Sequence, residues 1–590
     1  MKAKKSRVSD KSLRQKSLGS TYEAELALKQ DQFKLTRLDY FLAPLVATLA
    51  CVWAFPYVGT AVNWDDLLYM NLSQYTTPYP FYLNRYGHVY LQKFFFWLTR
   101  DAITGGRVYW CFLFFATCVL VYWCAKIIAG RKNYLTGLVA VLLFCMQPIL
   151  MRHLGCPLAD FTIAFLVMLG TFVYLTFIAR KQKGRHLAIM ILGLIFFWTV
   201  KSKEIGLWMG VLFLGLGENE QGARSLHRFI KDIGWVCVGM ITGFVLLMTL
   251  DLFFMGDAWF SMRPSSIRDL FRFNIASLGH PQKNLSWYII LSSGPILPVF
   301  LLYLLKGHNL SKGELMPWLI PLLMVSFLTA VTIRVNWDFP VRFLIPAMAG
   351  MSVWAAQFFR LEVAAPKKLS WLPKSLIGSI SILFAFLITL FIMHRLEALI
   401  EADGWLKVHE WKSLDALYNC VILPLSTSFL LIYVIALKKR GPLALFFLSL
   451  CLFFIIYFPL KNNMTLLKQR VVAKKGEWRF TPYRVFKDEL RFDKDKKILV
   501  SKDVHARSWM LGRNQNSHCW MFNIFFNQKF DYVQFIDGSR EDILKGNYTY
   551  AFLTWGDWNA IQEKHNVEHL TKNYDIKSHK ETQLILLKKR

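Results

Sequence analysis

For its size, this chain is short of charge. Only 18% of its 590 residues are charged, against 55% hydrophobic ones, whereas a soluble domain carries about a quarter. The deficit disfavours a soluble globular class. Paired cysteine motifs are missing too. The ten cysteines include no CxxC pair and no framework spacing, and most of them (Cys51, Cys111, Cys118, Cys124, Cys145, Cys237 and Cys451) fall inside apolar runs. They read as small buried hydrophobes. The formal net charge of +31 comes without any groove-reading motif, which argues against nucleic acid as a partner. No internal repeat or low-complexity stretch is present. Nor does a small-residue cleavage site follow the polar, basic residues 1–38, so the first apolar run reads as a retained signal anchor.

What the chain does have is apolar runs of membrane length. About thirteen recur, at 39–58, 107–125, 134–151, 158–179, 186–200, 205–217, 233–254, 287–305, 315–333, 343–359, 375–393, 420–437 and 442–460. Each is close to what is needed to cross ~30 Å of hydrocarbon as a helix, the form that satisfies its own backbone polar groups there. The loops on one side (126–133, 180–186, 218–232, 306–314, 360–374, 438–440) hold 19 Lys and Arg in 57 residues. Those on the other (59–106, 151–157, 201–204, 255–286, 334–342, 394–419) hold 15 in 126. The denser side is cytoplasmic by the positive-inside rule. An odd helix count then puts the N-terminus in the cytoplasm and the C-terminus outside. The fold class expected is a polytopic α-helical membrane protein: a cytoplasmic segment 1–38, a membrane region 39–460 with an outer loop 59–106, and an extracytoplasmic domain 461–590.

That last part changes character. Short apolar strands at 497–500, 530–536, 548–553 and 583–587 alternate with polar turns and a helix near 558–566, a pattern expected of a small α/β domain. Its 25 basic residues against 15 acidic ones suit anionic headgroups or an anionic substrate.

Chemistry concentrates on the outer side. Asp65 and Asp66 are adjacent where the first helix leaves the membrane. Two neighbouring carboxylates repel, which raises the pKa of one of them, and a carboxylate at the membrane surface suits a general base. A solvated helix end followed by an interfacial Trp/Tyr belt is the alternative reading. In the same loop, Arg85 has the chemistry to clamp a phosphate and His88 to hold a metal or a phosphate oxygen; both residues also suit a headgroup-level surface. An aromatic stretch, 89–97, follows them. Asp160, Lys201, Lys203, Glu204, Asp251, Arg334, Asp338 and Arg342 come from different helices, yet the topology brings all of them to one face. Charges so close to a membrane are costly unless used, and convergence there is the signature expected of an active site; for each residue alone, a snorkelling or paired structural role is the alternative reading.

In these residues the chain resembles the GT-C glycosyltransferases, in particular the bacterial branch related to protein O-mannosyltransferases and the lipid A aminoarabinose transferase. Asp65-Asp66-Leu67-Leu68-Tyr69 resembles the acidic motif of the first outer loop. His88 to Trp97 resembles the His-Pro-Pro-Leu segment with its aromatic jaw helix, although Val89 and Tyr90 replace the prolines. Lys203 resembles a lysine between two short helices, and Val341-Arg342-Phe343-Leu344-Ile345-Pro346 an Arg-Tyr-Leu-x-Pro segment. The resemblance implies sugar transfer from a polyprenyl-phosphate donor to a lipid, glycan or protein hydroxyl in a bacterial inner membrane. Asp65 would be the base, Asp66 an orienting group and Asp160 a second acid. Lys203 and Arg342, with Arg85 and Lys201, would bind the donor phosphate, and His88 and Glu204 would touch substrate or metal. A divalent metal is left open. The rival classes are a transporter or flippase, against which the missing repeat argues, and a non-catalytic envelope assembly factor.

Overall fold

The structure, a computed structural model, describes residues 35–55, 69–70, 72–73, 85–100, 102–130, 134–147, 150, 158–180, 184–217, 225–262, 312–335, 341–358, 486, 489, 497–501, 534–538, 540–546, 548–580 and 583–590. It is mostly helical. In order come α1 (Arg37–Ala54), α2 (Tyr86–Thr99), α3 (Ala102–Ala129), α4 (Tyr134–Cys145) and α5 (Ala159–Val173), the last continued by a π turn, Tyr174–Ile178. They are followed by α6 (Arg185–Val200), a 3-10 helix (Glu204–Gly215), α7 (Leu226–Met255), α8 (Lys312–Val335) and α9 (Ile345–Phe358). Among the described residues, four helices are long and apolar enough to cross a membrane: Arg37–Ala54, Thr104–Ala129, Ala159–Ile178 and Leu226–Met255.

Seven of the expected spans coincide with helices, with ends shifted by up to seven residues, while α4 ends at Cys145 rather than at 151. The spans expected at 287–305, 375–393, 420–437 and 442–460 lie outside the described residues. The expected 205–217 span differs in kind. As an α-helix, thirteen residues would reach only about 20 Å. The chain winds these residues instead as a 3-10 helix of twelve residues, about 24 Å long at 2.0 Å per residue.

Among the described residues, the charged side chains buried in the bundle sort into two layers. The first gathers Asp160, Lys201 and Asp251, together with Tyr109. The second gathers Asp39, Lys126, Arg185 and Asp232. Along α3 from Tyr109 to Lys126, along α6 from Arg185 to Lys201 and along α7 from Asp232 to Asp251, the separation is about 24–29 Å by helical rise, close to a hydrocarbon core. Residues such as Phe114, Cys118, Val121, Ile189, Leu192 and Leu247 fill the space between. In the second layer Arg185 pairs with Asp232 at 2.6 Å, and that carboxylate also accepts from Gly217 N at 3.0 Å. Asp39 closes a capping box with Thr36 at the start of α1 and accepts from Tyr122 Oη at 3.3 Å. Lys126 lies 3.8 Å from Asp39. Buried charges here are paired, which is the condition for their tolerance.

The C-terminal region is β/α: β1 (Lys497–Ser501), β2 (Gln534–Gly538), α10 (Arg540–Lys545), β3 (Tyr550–Thr554), α11 (Trp555–Lys564), α12 (Glu568–Asn573), β4 (Tyr574–His579) and β5 (Leu584–Lys589). The sheet order is β2-β1-β3-β5-β4. β1 runs parallel to β2 and to β3, and β5 runs antiparallel to β3 and to β4. The four expected strands are present, shifted by a few residues. β4 and the helices α10 and α12 were not expected.

Candidate active site

The first polar layer is organised around the N-terminal turn of α2. A helix start leaves backbone N–H groups without intrahelical partners, and Arg85 offers no side-chain cap here. Gly87 N instead donates to Lys201 O across 3.0 Å, and Gly87 O accepts from Trp198 Nε1 at 3.0 Å. The approach is close enough to require glycine: a Cβ at this position would lie 2.7 Å from Ser202 Oγ and 3.0 Å from the Lys201 carbonyl. Two elements distant in sequence are thus joined backbone to backbone, beside the link that carries the lysines.

Around that join, each residue of the turn reaches a different neighbour. Arg85 pairs with Glu204 at 2.5 Å. Lys203, at the N-cap of the 3-10 helix, pairs with Asp160 in the first turn of α5, and its amine sits 3.2 Å from the centre of the Phe343 ring. His88 is fully buried. Its Nδ1 lies 2.8 Å from Thr162 Oγ1 and 3.3 Å from Tyr109 Oη, and those hydroxyls are 2.7 Å apart. The Tyr69 ring packs edge-on against the imidazole, centroids 4.9 Å apart. Tyr90 donates to Asp251 at 2.5 Å. The same carboxylate accepts from Ser261 N at 2.9 Å and from Ser261 Oγ at 2.5 Å. Lys201 completes this chain by donating to Ser261 O at 3.0 Å. Burial lowers the lysines at 201 and 203 to about 8, against the opposing pull of Asp251 and Asp160 respectively.

Six of the nine predicted site residues therefore meet in one layer: Arg85, His88, Asp160, Lys201, Lys203 and Glu204. Asp65 and Asp66 lie outside the described residues. Arg342 is described by its backbone, in the 3-10 turn Val341–Leu344 next to Phe343. The Lys201 amine is directed to a backbone carbonyl. Gly87, Trp198, Thr162, Tyr109 and Ser261 belong to the network and were not singled out by sequence, because none is charged and each acts through proximity. Among the described residues, no three His, Cys, Asp or Glu side chains gather as a metal site.

No family model matches the chain, and no curated protein matches it. Among solved structures, the crystal structure of ArnT from Cupriavidus metallidurans in the apo state aligns with a TM-score of 0.50. Sequence identity is 11%, and the alignment covers 92% of this chain and 97% of that one. The fold is ArnT-like. The crystal structure of the same ArnT bound to undecaprenyl phosphate aligns at 0.46, with 11% identity over 94% and 98% of the two chains. At 92% coverage of this chain, the likeness of fold to the apo structure takes in both the helical and the β/α regions.

Proposed function

We propose that the chain is an integral membrane glycosyltransferase. It moves a sugar from a polyprenyl-phosphate donor to an acceptor hydroxyl at the outer face, most simply of a bacterial inner membrane. The observation that carries this reading is the meeting of the buried Arg85, Asp160, Lys201 and Lys203 with the half-buried Glu204 in one layer, at the membrane end opposite the loops richest in Lys and Arg. The ArnT-like fold supports the class of reaction. Thirteen spans, and residues 461–590 as an extracytoplasmic domain, complete the proposed architecture.

The proposed chemistry is a single inverting displacement. The acceptor oxygen bonds to the anomeric carbon as its proton passes to Asp65. The bond from that carbon to the phosphate oxygen breaks, and its electron pair leaves with polyprenyl phosphate. Asp66 orients the acceptor. Asp65 stands four residues before Tyr69 in the sequence, and the Tyr69 ring rests on His88. Negative charge grows on the departing phosphate, and Lys203, Arg342 and Arg85 are the cations assigned to it. Cations fixed in a dry site stabilise such charge far better than water does. His88, held by Thr162 and Tyr109, sets the first turn of α2.

Purified protein given a radiolabelled polyprenyl-phosphate sugar tests the reading. Asp65→Asn is expected to lower transfer by at least about a hundredfold, the usual worth of a positioned base. Full transfer by the variant would remove Asp65 as the base, and no transfer by the unaltered protein with any such donor would overturn the transferase reading.

A further inference from the structure

Among the described side chains, the charges of the first polar layer stand in pairs. Around the start of α2, Arg85 faces Glu204, Lys203 faces Asp160, and Lys201 is joined to Asp251 through Ser261. Lys93, two turns along α2, is directed instead to Ser73 O at 2.9 Å and to the Phe254 ring. Among the described side chains at this helix start, three cations are therefore met by three carboxylates. A phosphate brought to Lys203 with its partner still in place would set a second negative charge beside the carboxylate that already holds the lysine. At low dielectric such a like-charge approach is strongly unfavourable. The Lys203 amine is also enclosed sterically, with Asp160 on one side, the Phe343 ring on another and only 4% of the residue exposed.

We propose that Asp160 holds the place of the donor's phosphate: its carboxylate neutralises Lys203 in the empty site and leaves it when a singly charged phosphodiester arrives. The exchange is one negative charge for one, so the charge facing Lys203 stays balanced. Asp160 is the second residue of α5, and its carboxylate already accepts from its own backbone N–H, so the positive end of that helix continues to hold its charge when Lys203 is taken from it. Asp160 thereby becomes a positioning residue: it keeps Lys203 charged and aimed, and it opposes the ligand that Lys203 binds.

The inference rests on Lys203 as the phosphate's cation, and the test separates the two. Equilibrium binding of undecaprenyl phosphate would be measured in mixed lipid–detergent micelles for the unaltered chain and for Lys203→Ala, Asp160→Asn and Asp160→Glu. Removing the competing charge in Asp160→Asn is expected to tighten binding about tenfold or more, the scale of one charge-assisted hydrogen bond. Asp160→Glu keeps the competitor and is expected to bind no tighter than the unaltered chain, and Lys203→Ala is expected to lose most of the affinity. Equal binding by the unaltered chain and Lys203→Ala would sink the phosphate reading of Lys203 itself. Loss in Lys203→Ala with no gain in Asp160→Asn would overturn the place-holder alone. Should Asp160→Asn not fold, an infrared difference spectrum of the unaltered chain decides. Saturation with undecaprenyl phosphate should shift the band of an ion-paired carboxylate, and an unchanged carboxylate region would overturn the proposal.

Discussion

At the scale of single residues, Gly87 is the sharpest constraint in the first polar layer. It packs against main chain at Lys201 and against Ser202 Oγ, and main chain does not swing aside as a side-chain tip does. Gly87→Ala is expected to cost about 1–3 kcal/mol by overpacking and to lower transfer by displacing the lysine link. Gly234 on α7 has nothing within 4 Å of a built Cβ, so Gly234→Ala should be neutral or slightly stabilising. Comparing thermal unfolding and transfer rates of the two variants checks this; equal behaviour would refute the assigned packing. Residue identity alone revealed the charged members of the layer, because Asp160, Lys201 and Lys203 interrupt apolar runs where charge is costly. It did not reveal Gly87, Thr162 or Tyr109. A glycine, a threonine and a tyrosine in apolar surroundings acquire roles only from what the fold brings within 3 Å of them.

At the scale of elements, the end of α7 and the 3-10 turn Phe260–Met262 act as a clasp on α2. Asp251 receives three donors, from Tyr90, Ser261 N and Ser261 Oγ, and the Tyr86 ring meets Phe260 edge-on at 5.3 Å. A buried carboxylate stripped of one donor costs about 1–3 kcal/mol. Tyr90→Phe should therefore lower the unfolding temperature measurably, whereas replacing the exposed Phe94 by Leu should not; equal shifts would refute the clasp. Element boundaries were legible where apolar runs end at a charge, as at Lys201 and Asp160. They were not legible in the β/α region at β4. Tyr574 and Ile576 face inward or half-inward on that strand while Lys577 and Ser578 are exposed. Among the described residues β4 pairs only with β5, and an edge strand with one wet side lacks the apolar run that marked the other four.

At the scale of the whole molecule, two layers of paired charge separated by a hydrocarbon thickness are what a bilayer protein must build if it is to keep ionic groups at all. The proposed orientation assigns the first layer and the β/α region to the outside. Ser225→Cys and Ser578→Cys, both at exposed positions, test it in intact cells: an impermeant thiol reagent should reach the second and not the first. The reverse pattern would invert the topology and remove the outer-face site with it. The sequence signal behind the proposed orientation is loop charge, which is integrated over many residues and tolerant of errors in any one boundary.

The tight winding of Glu204–Gly215 has a consequence of its own. Twelve residues there cover the distance for which an α-helix would need about sixteen. Both ends are moored, through Lys203 to Asp160 at one and through Gly217 N to Asp232 at the other. The segment has no slack. A single residue removed from it would pull an anchor from one layer or the other, so an indel there is felt across the full thickness of the bundle.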